Sequence, residues 1–518
     1  MRAVFRVDAS TDIGVGHVSR CLTLAEALRV RGVEPRFICR QHAGHVVAQL
    51  TTVGMSVTAL PAPSPKETCP NEDYAAWLGV TQHQDAEQVI AALAGAEPEW
   101  IIVDHYGLDA RWERALRPYA RRLIVIDDLA DRAHECDLLI DQNLSLFPER
   151  YSGLVPADCT LLLGPRYALL REEYLQFARI KRGRTAPVER VFVFFGGSDP
   201  QNLTGAALSA LSFPRLRHLS VDIVVGVNNP HSAQLQRQCT DRPGTTLYDA
   251  RPHLADLMAR ADLAIGAAGT TTWERMCLGL PSLVVSIAKN QRPAAEALAQ
   301  DGLITYLGDA DHVGIADLAA AVETAVAGEH LSEQSLRGEL TVDGLGAIRV
   351  AECIDPTEWP QLQLRAAHTA DAALFFVWAN DPQVRRHSLQ TKDIPWHVHE
   401  RWFRERLEDS RSRLFVLEAK SLPVGQIRFD DEANEVRIDY SIESQLRGRG
   451  WGRRLVALGM QRMSERGRLV FRADVKSTNP ASAATFARLG FREVLPAAQG
   501  DLRVVRFDAA LQTLPETG

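Results

Sequence analysis

The sequence predicts an α/β chain of two parallel-sheet domains followed by a smaller α+β domain. Three observations carry this expectation. Through residue 350, short apolar runs alternate with helix-period stretches, as in 3–7 followed by 18–30, which is the rhythm of a parallel sheet with crossover helices. That rhythm pauses around 164–184 and restarts at Arg190-Val191-Phe192-Val193-Phe194-Phe195, so a second sheet begins with its own first strand. Two prolines in Ile354-Asp355-Pro356-Thr357-Glu358-Trp359-Pro360 then break all periodicity, and 414–419, 425–429 and 435–442 follow as antiparallel strands.

In chain order, 100–104, 123–127 and 138–141 each read as a buried strand ending in Asp, which puts polarity at the strand ends where open α/β sheets bind ligands. Strands at 220–225, 263–265 and 282–285 extend the second sheet. In the last third, 451–466 reads as an amphipathic helix and 469–475 as a strand. The expected domains are 1–170, 171–352 and 362–518, with 353–361 as linker.

Composition sets the class. With 518 residues, 46% hydrophobic and 24% charged, the chain suits three or four globular domains and not a disordered or fibrous protein. Its 58 basic and 65 acidic residues leave a net charge of -7, so the overall field repels a polyanion and phosphate binding must be local. Only six of the basic residues are Lys and no basic run occurs, which argues against nucleic acid as a partner. The eight cysteines form no C-x-x-C pair, so neither a zinc knuckle nor a disulfide framework is expected. Reduced thiols, an opening interrupted by charge, and no apolar run near the roughly 18 residues of a membrane helix all point to a cytoplasmic protein with no membrane partner.

Two sites stand out. After the first strand, Ile13-Gly14-Val15-Gly16-His17 forms a tight turn into a helix, where backbone N–H groups are free to meet an anion or a sugar. The helix dipole there favours a neutral imidazole, so His17 suits a general base, although a turn residue bonded to backbone fits as well. Gly196-Gly197-Ser198 and Gly269-Thr270-Thr271 are similar cradles after strands of the second sheet, each suited to a nucleotide diphosphate or to a bare strand-to-helix turn. Glu274, one helical turn on, is placed to accept both ribose hydroxyls. Neither loop has a Walker ending and no metal motif appears, so no metal is expected.

These pieces resemble a known family. The turn at His17, Asp104-His105-Tyr106, Ile126-Asp127-Asp128-Leu129-Ala130, Asp141-Gln142-Asn143, Leu163-Gly164-Pro165-Arg166-Tyr167, Phe195-Gly196-Gly197-Ser198-Asp199-Pro200 and Asn290-Gln291 are similar to the UDP-2,4-diacetamido-2,4,6-trideoxy-beta-L-altropyranose hydrolases of pseudaminic acid biosynthesis, over about 1–350. The resemblance implies two Rossmann-like domains in the glycosyltransferase-B arrangement. It also implies that His17 deprotonates a water attacking the anomeric carbon while helix starts of the second domain hold the departing UDP. Gly14 and Gly16 would line the site. Asn290 and Gln291 would position sugar or water, or else cap a helix. Asp104 and Tyr106 would line the sugar pocket, or else serve as strand-end structure.

In the last domain, Arg447-Gly448-Arg449-Gly450-Trp451-Gly452 precedes the amphipathic helix, and Asn479-Pro480 with Gly490-Phe491 follows the next strand. This combination resembles the GNAT N-acetyltransferases, which implies that the loop binds the acetyl-CoA pyrophosphate and that Asn479 contacts the same co-substrate. Phe486 stands where that family usually carries a proton-donating Tyr, and it reads as a core aromatic. The segment from Trp378 to Arg385, with His399, Trp402 and Phe403, resembles the acceptor side of sugar-amine acetyltransferases, though packing explains its tryptophans equally. Together the resemblances imply a bifunctional enzyme that acetylates the 4-amine of a UDP-amino sugar and then hydrolyses the product. The alternatives are a glycosyltransferase passing the sugar to an acceptor, and a sugar-nucleotide-binding module joined to a protein-amine acetyltransferase.

Overall fold

A computed structural model describes residues 2–508 apart from 64–73, 148, 181–186, 227, 329, 356–361, 389, 420–421, 433–434, 465–469 and 495–501. It divides into two compact units, Met1–Asp355 and Pro356–Gly518. Of the expected linker 353–361, residues 353–355 end a helix and the remainder lies outside the described residues.

The first unit holds two parallel sheets. In the first, seven strands run in the spatial order Ser56–Leu60, Glu34–Arg40, Arg2–Val7, Trp100–Asp104, Arg122–Ile126, Leu138–Asp141 and Thr160–Leu163. The order reverses between Arg2–Val7 and Trp100–Asp104, so the loops leaving these two strands diverge to opposite faces and open a crevice at their C-terminal ends. The second sheet repeats this plan with Thr245–Tyr248, Ser220–Val224, Arg190–Phe194, Leu263–Ala267, Ser282–Ser286 and Thr305–Asp309, reversing between Arg190–Phe194 and Leu263–Ala267. Strands buried on both faces explain the unbroken apolar runs of the sequence, such as Leu263, Ala264 and Ile265, all fully buried.

The chain crosses between the two sheets twice. Ala168, Leu170 and Tyr174 pack into the core of the second sheet. The helix Gly346–Ile354 returns to the first, where Ala347, Val350, Ala351 and Ile354 join Phe5, Leu24 and Phe37 in one cluster. Gly346 makes the crossing possible, since a methyl at its α-carbon would lie 2.2 Å from the Ala168 carbonyl oxygen. Buried Arg349 locks the junction by donating to the Arg166 carbonyl and to Asp343 Oδ2.

One pairing escaped the spacing of the cysteines. The Cys136 and Cys159 sulfurs stand 3.6 Å apart as free thiols where the last two strands of the first sheet begin. Among the described residues no helix is long and apolar enough to cross a membrane.

The second unit is a mixed sheet in the order Leu362–Ala366, Ser412–Ala419, Leu422–Glu432, Glu435–Ile442, Val470–Lys476, Leu502–Asp508 and Arg492–Val494. All neighbours are antiparallel except Glu435–Ile442 and Val470–Lys476. Those two pair in parallel only at Val436↔Phe471 and Arg437↔Arg472, and then part. The helix Trp451–Ser464 covers one face, and Phe375, Trp378 and Phe403 pack against Leu414 and Val416 in a separate cluster.

Candidate functional site

At the crevice of the first sheet, a hydrogen bond from the Gly14 N–H to the Ser10 carbonyl closes the turn, and Gly14 takes φ +75°. The helix Gly16–Val30 then starts without a side-chain cap, because Val15 occupies its N-cap position. His17, the second helical residue, places Nδ1 2.6 Å from Asp104 Oδ1. An ionised carboxylate only accepts, so Nδ1 carries the proton and the lone pair rests on Nε2. No other residue among those described hydrogen-bonds Nε2.

Asp104 does not line a pocket. It is fully buried behind His17, and Arg20 grips both its oxygens at 2.6 and 2.7 Å. Burial works against its charge, but the Arg20 guanidinium and His17 overcome that and hold its carboxyl well below the usual carboxylate range. Arg20 also reaches Asp128 Oδ2 at 2.7 Å, and the Tyr106 hydroxyl donates to Asp128 Oδ1 at 2.6 Å. Tyr106 thus has its polar end engaged and presents an edge to the His17 ring at 4.6 Å.

Sequence reading gave Arg20 and Asp128 no role, and it missed Tyr74 and Trp77. Arg20 was findable, since i,i+3 spacing from His17 puts both on one helix face. Tyr74 and Trp77 follow residues of no clear period and join Tyr106 as an aromatic wall only in three dimensions, with centroids 5.0 and 5.7 Å from it.

The two cradles of the second sheet differ. Gly196-Gly197-Ser198 does not present free helix N–H groups. Asp199 accepts from Leu203 and Thr204, and Asn202 from Gly205, so the helix Leu203–Leu211 is already capped, with a carboxylate where an anion would sit. Gly197 itself is pressed against Gly226, where a methyl would lie 2.1 Å from the Gly197 carbonyl oxygen. The loop Gly269-Thr270-Thr271, by contrast, enters the helix Thr271–Cys277 with no side-chain cap, braced from below by buried Arg275 on the Ala267 carbonyl. This loop faces the His17 turn, since a methyl on Gly16 would lie 4.0 Å from Thr270 Cγ2.

Gln291 lies over the loop, its Nε2 3.8 Å from where a Gly269 methyl would be, and its Oε1 accepts from the Ile287 N–H. Gln291 is the N-cap of Arg292–Gln300 yet makes no capping bond, and half-buried Asn290 sits in the turn before it. Glu274 lies near the Tyr174 hydroxyl, and its Oε2 is buried without a hydrogen-bond partner. Burial raises its carboxyl to about 7.

The second unit has its own cavity of about 1220 Å³, lined by the parted strands, the glycine loop and the helix Pro480–Arg488. Gly448 and Gly450 take φ +81° and +77°, which turns the loop so that successive amides face one side. Arg447 is not available to an anion by its side chain. It donates to Asp381 Oδ1 at 2.9 Å, Gln383 Oε1 at 2.7 Å and the Ile442 carbonyl, and so fixes the loop's base. Arg449 lies 5.7 Å over the buried Trp451 ring, and Gly452, the second residue of the helix, lies against Tyr440. Asn479 lines the cavity but caps Pro480–Arg488, its Oδ1 accepting from the Ser482 N–H.

Phe486 is a core aromatic, 4.9 Å from Phe491. Trp378, His399 and Phe403 of the expected acceptor side are also buried in packing. The Trp378 indole donates to Glu443, and burial lowers His399 to about 4.

Residues 361–492 match the acetyltransferase (GNAT) domain, and residues 191–337 match the glycosyltransferase family 28 C-terminal domain. One chain thus carries a match to each of these two kinds of domain, one in each unit. It is 26% identical over 302 residues to the UDP-2,4-diacetamido-2,4,6-trideoxy-beta-L-altropyranose hydrolase of Campylobacter jejuni, covering 58% of this chain and 97% of that one. Protein MJ1062 of Methanocaldococcus jannaschii is 22% identical over 514 residues, 95% of this chain and 97% of its own, so it matches across both units. The spore coat polysaccharide biosynthesis protein SpsG of Bacillus subtilis is 30% identical over 198 residues, 38% of this chain and 58% of its own.

Proposed function

We propose that the chain is a bifunctional sugar-nucleotide enzyme. Its second unit transfers acetyl from acetyl-CoA to the 4-amine of a UDP-4-amino-4,6-dideoxy-N-acetyl-altrosamine, and its first unit hydrolyses the resulting UDP-2,4-diacetamido-2,4,6-trideoxy-beta-L-altropyranose. The observation that carries the hydrolytic half is the His17 ring, held by buried Asp104 with Nε2 as its open nitrogen, on a turn whose Gly16 approaches Thr270 of the loop Gly269-Thr270-Thr271.

His17 Nε2 takes a proton from water as its oxygen bonds the anomeric carbon, and the bond from that carbon to the UDP oxygen breaks. The N–H groups of Gly269, Thr270 and Thr271, ahead of the Thr272 and Trp273 amides that bond back to Gly269 and Thr270, receive the charge that develops on UDP. Attack opposite the leaving group inverts the anomeric centre. Glu274 accepts from the ribose, Asn290 and Gln291 hold the sugar over the loop, and the Tyr106 wall gives its apolar face a surface.

The test supplies the UDP-amino sugar and acetyl-CoA separately and together. CoA and then UDP are expected only from the pair, and preacetylated sugar nucleotide should release UDP with no acetyl-CoA present. UDP release that requires an added acceptor alcohol would make the first unit a glycosyltransferase.

Asp104→Asn sharpens the reading. Its amide can donate to Nδ1, which moves the ring proton to Nε2 and removes the base, and it leaves Arg20 with Asp128 as its remaining carboxylate partner. UDP release should fall about 100-fold or more while CoA release is unchanged, as parallel assays of the two products would record.

A further inference from the structure

Tyr440 lies beyond the last pair that Glu435–Ile442 makes with Val470–Lys476, so it borders the gap that opens between these two parallel strands. A methyl on Gly452 would lie 3.1 Å from its ring and 3.7 Å from its oxygen, which sets the ring against the helix turn that follows the glycine loop. On another side it meets Phe486 edge to face at 5.7 Å. Ser482 and Thr485, one helical turn apart on Pro480–Arg488, line the same cavity, and the Thr485 hydroxyl donates to the Ala481 carbonyl. Tyr440 is thus a phenol in the wall of this cavity, in ring contact with Phe486 on the helix Pro480–Arg488.

The other cavity side chains offer poor proton sources. Arginine does not release its proton in proteins, and the carboxylates of Asp439 and Asp474 accept once ionised. Phe486 has no proton to give. The rivals are His387, on the separate helix Pro382–His387, and the Lys476 ammonium, which donates to the Arg386 carbonyl.

We propose that Tyr440 is the general acid of acetyl transfer, giving its phenolic proton to the CoA sulfur as the thioester breaks. This rests on the acetyl-transfer reading above. The amine lone pair forms the C–N bond, the C–S pair leaves on sulfur, and sulfur takes the Tyr440 proton. The new amide nitrogen sheds a proton to solvent and the tyrosinate recovers one from solvent, so the step balances with no oxidant or reductant. Burial holds the Tyr440 phenol above the ordinary tyrosine range, so it is protonated when the thioester binds. The thiol is the stronger acid of the two, so the transfer assists the departing sulfur without being obligatory.

The test measures CoA release by the full chain carrying Y440F, F486Y, both, or H387Q, with thermal melting to show that each is folded. Y440F should lower kcat about 100-fold, at the low end of general-acid effects, with KM for acetyl-CoA within twofold. In the double variant the hydroxyl returns on the neighbouring ring, and kcat should recover to within about tenfold of wild type, a rescue that a packing role for Tyr440 would not produce. H387Q should stay within about twofold. A Y440F rate within about threefold of wild type, no recovery in a folded double variant, or a loss in H387Q equal to that of Y440F would each overturn the assignment. Wild-type chain that releases no CoA with the amino-sugar nucleotide sinks the acetyl-transfer reading itself, and the assignment with it.

Discussion

His17→Ala should release UDP about 10²- to 10⁴-fold more slowly than wild type while releasing CoA at the same rate, so that the acetylated UDP-sugar accumulates. The size follows from what the imidazole does. Without Nε2, attacking water must lose its proton to bulk solvent, and no described neighbour substitutes: Asp104 is sealed behind the ring and Asp128 is occupied by Arg20 and Tyr106. The fold should survive, because Asp104 keeps its two-pronged contact with Arg20 and the lost ring contact is the Tyr106 edge. Mass spectrometry of the products with both substrates supplied checks the result. Unchanged UDP output would remove His17 from its role.

Gly450→Asp should do the reverse, abolishing detectable CoA release while sparing hydrolysis of preacetylated substrate. Gly450 sits at φ +77°, a conformation that costs most L-residues about 1–2 kcal/mol but that Asp adopts more readily than most. The backbone should therefore hold its shape. What changes is charge, since a carboxylate then stands where loop amides gather to meet a pyrophosphate, and two anions compete for the same donors. Titration of acetyl-CoA against the variant, followed by UDP assay on preacetylated sugar, separates the effects. Equal loss of both activities would mean the two sites are not independent.

Much of the architecture is legible in the amino-acid order, and the reason is burial. Strands covered on both faces, such as Trp100–Asp104 and Leu263–Ala267, must be apolar throughout, which makes them visible as runs. Edge and near-edge strands carry weaker marks. Glu34–Arg40 holds Pro35 and two arginines, Thr160–Leu163 has four residues, and both passed unread, as did the helix Glu172–Ile180 within the apparent pause. For the site, turn chemistry at His17, Gly448 and Gly450 is local and shows in sequence. Partners distant in sequence do not. Asp104 stands 87 residues from His17 and Asp381 stands 66 from Arg447, and only the folded sheet turns a presumed sugar contact into a buried orienter, or a presumed phosphate ligand into a brace.

The return of Gly346–Ile354 to the opening sheet means that the N-terminal half is not a continuous stretch of polypeptide. A gene cut near codon 171 would strip Phe5, Leu24 and Phe37 of the helix that shields them, leaving a greasy flank exposed to water. Recombination that moves this half into another protein must carry both ends of the first unit together. A break after Asp355 falls where the two compact units divide and keeps the returning helix with the sheet it covers.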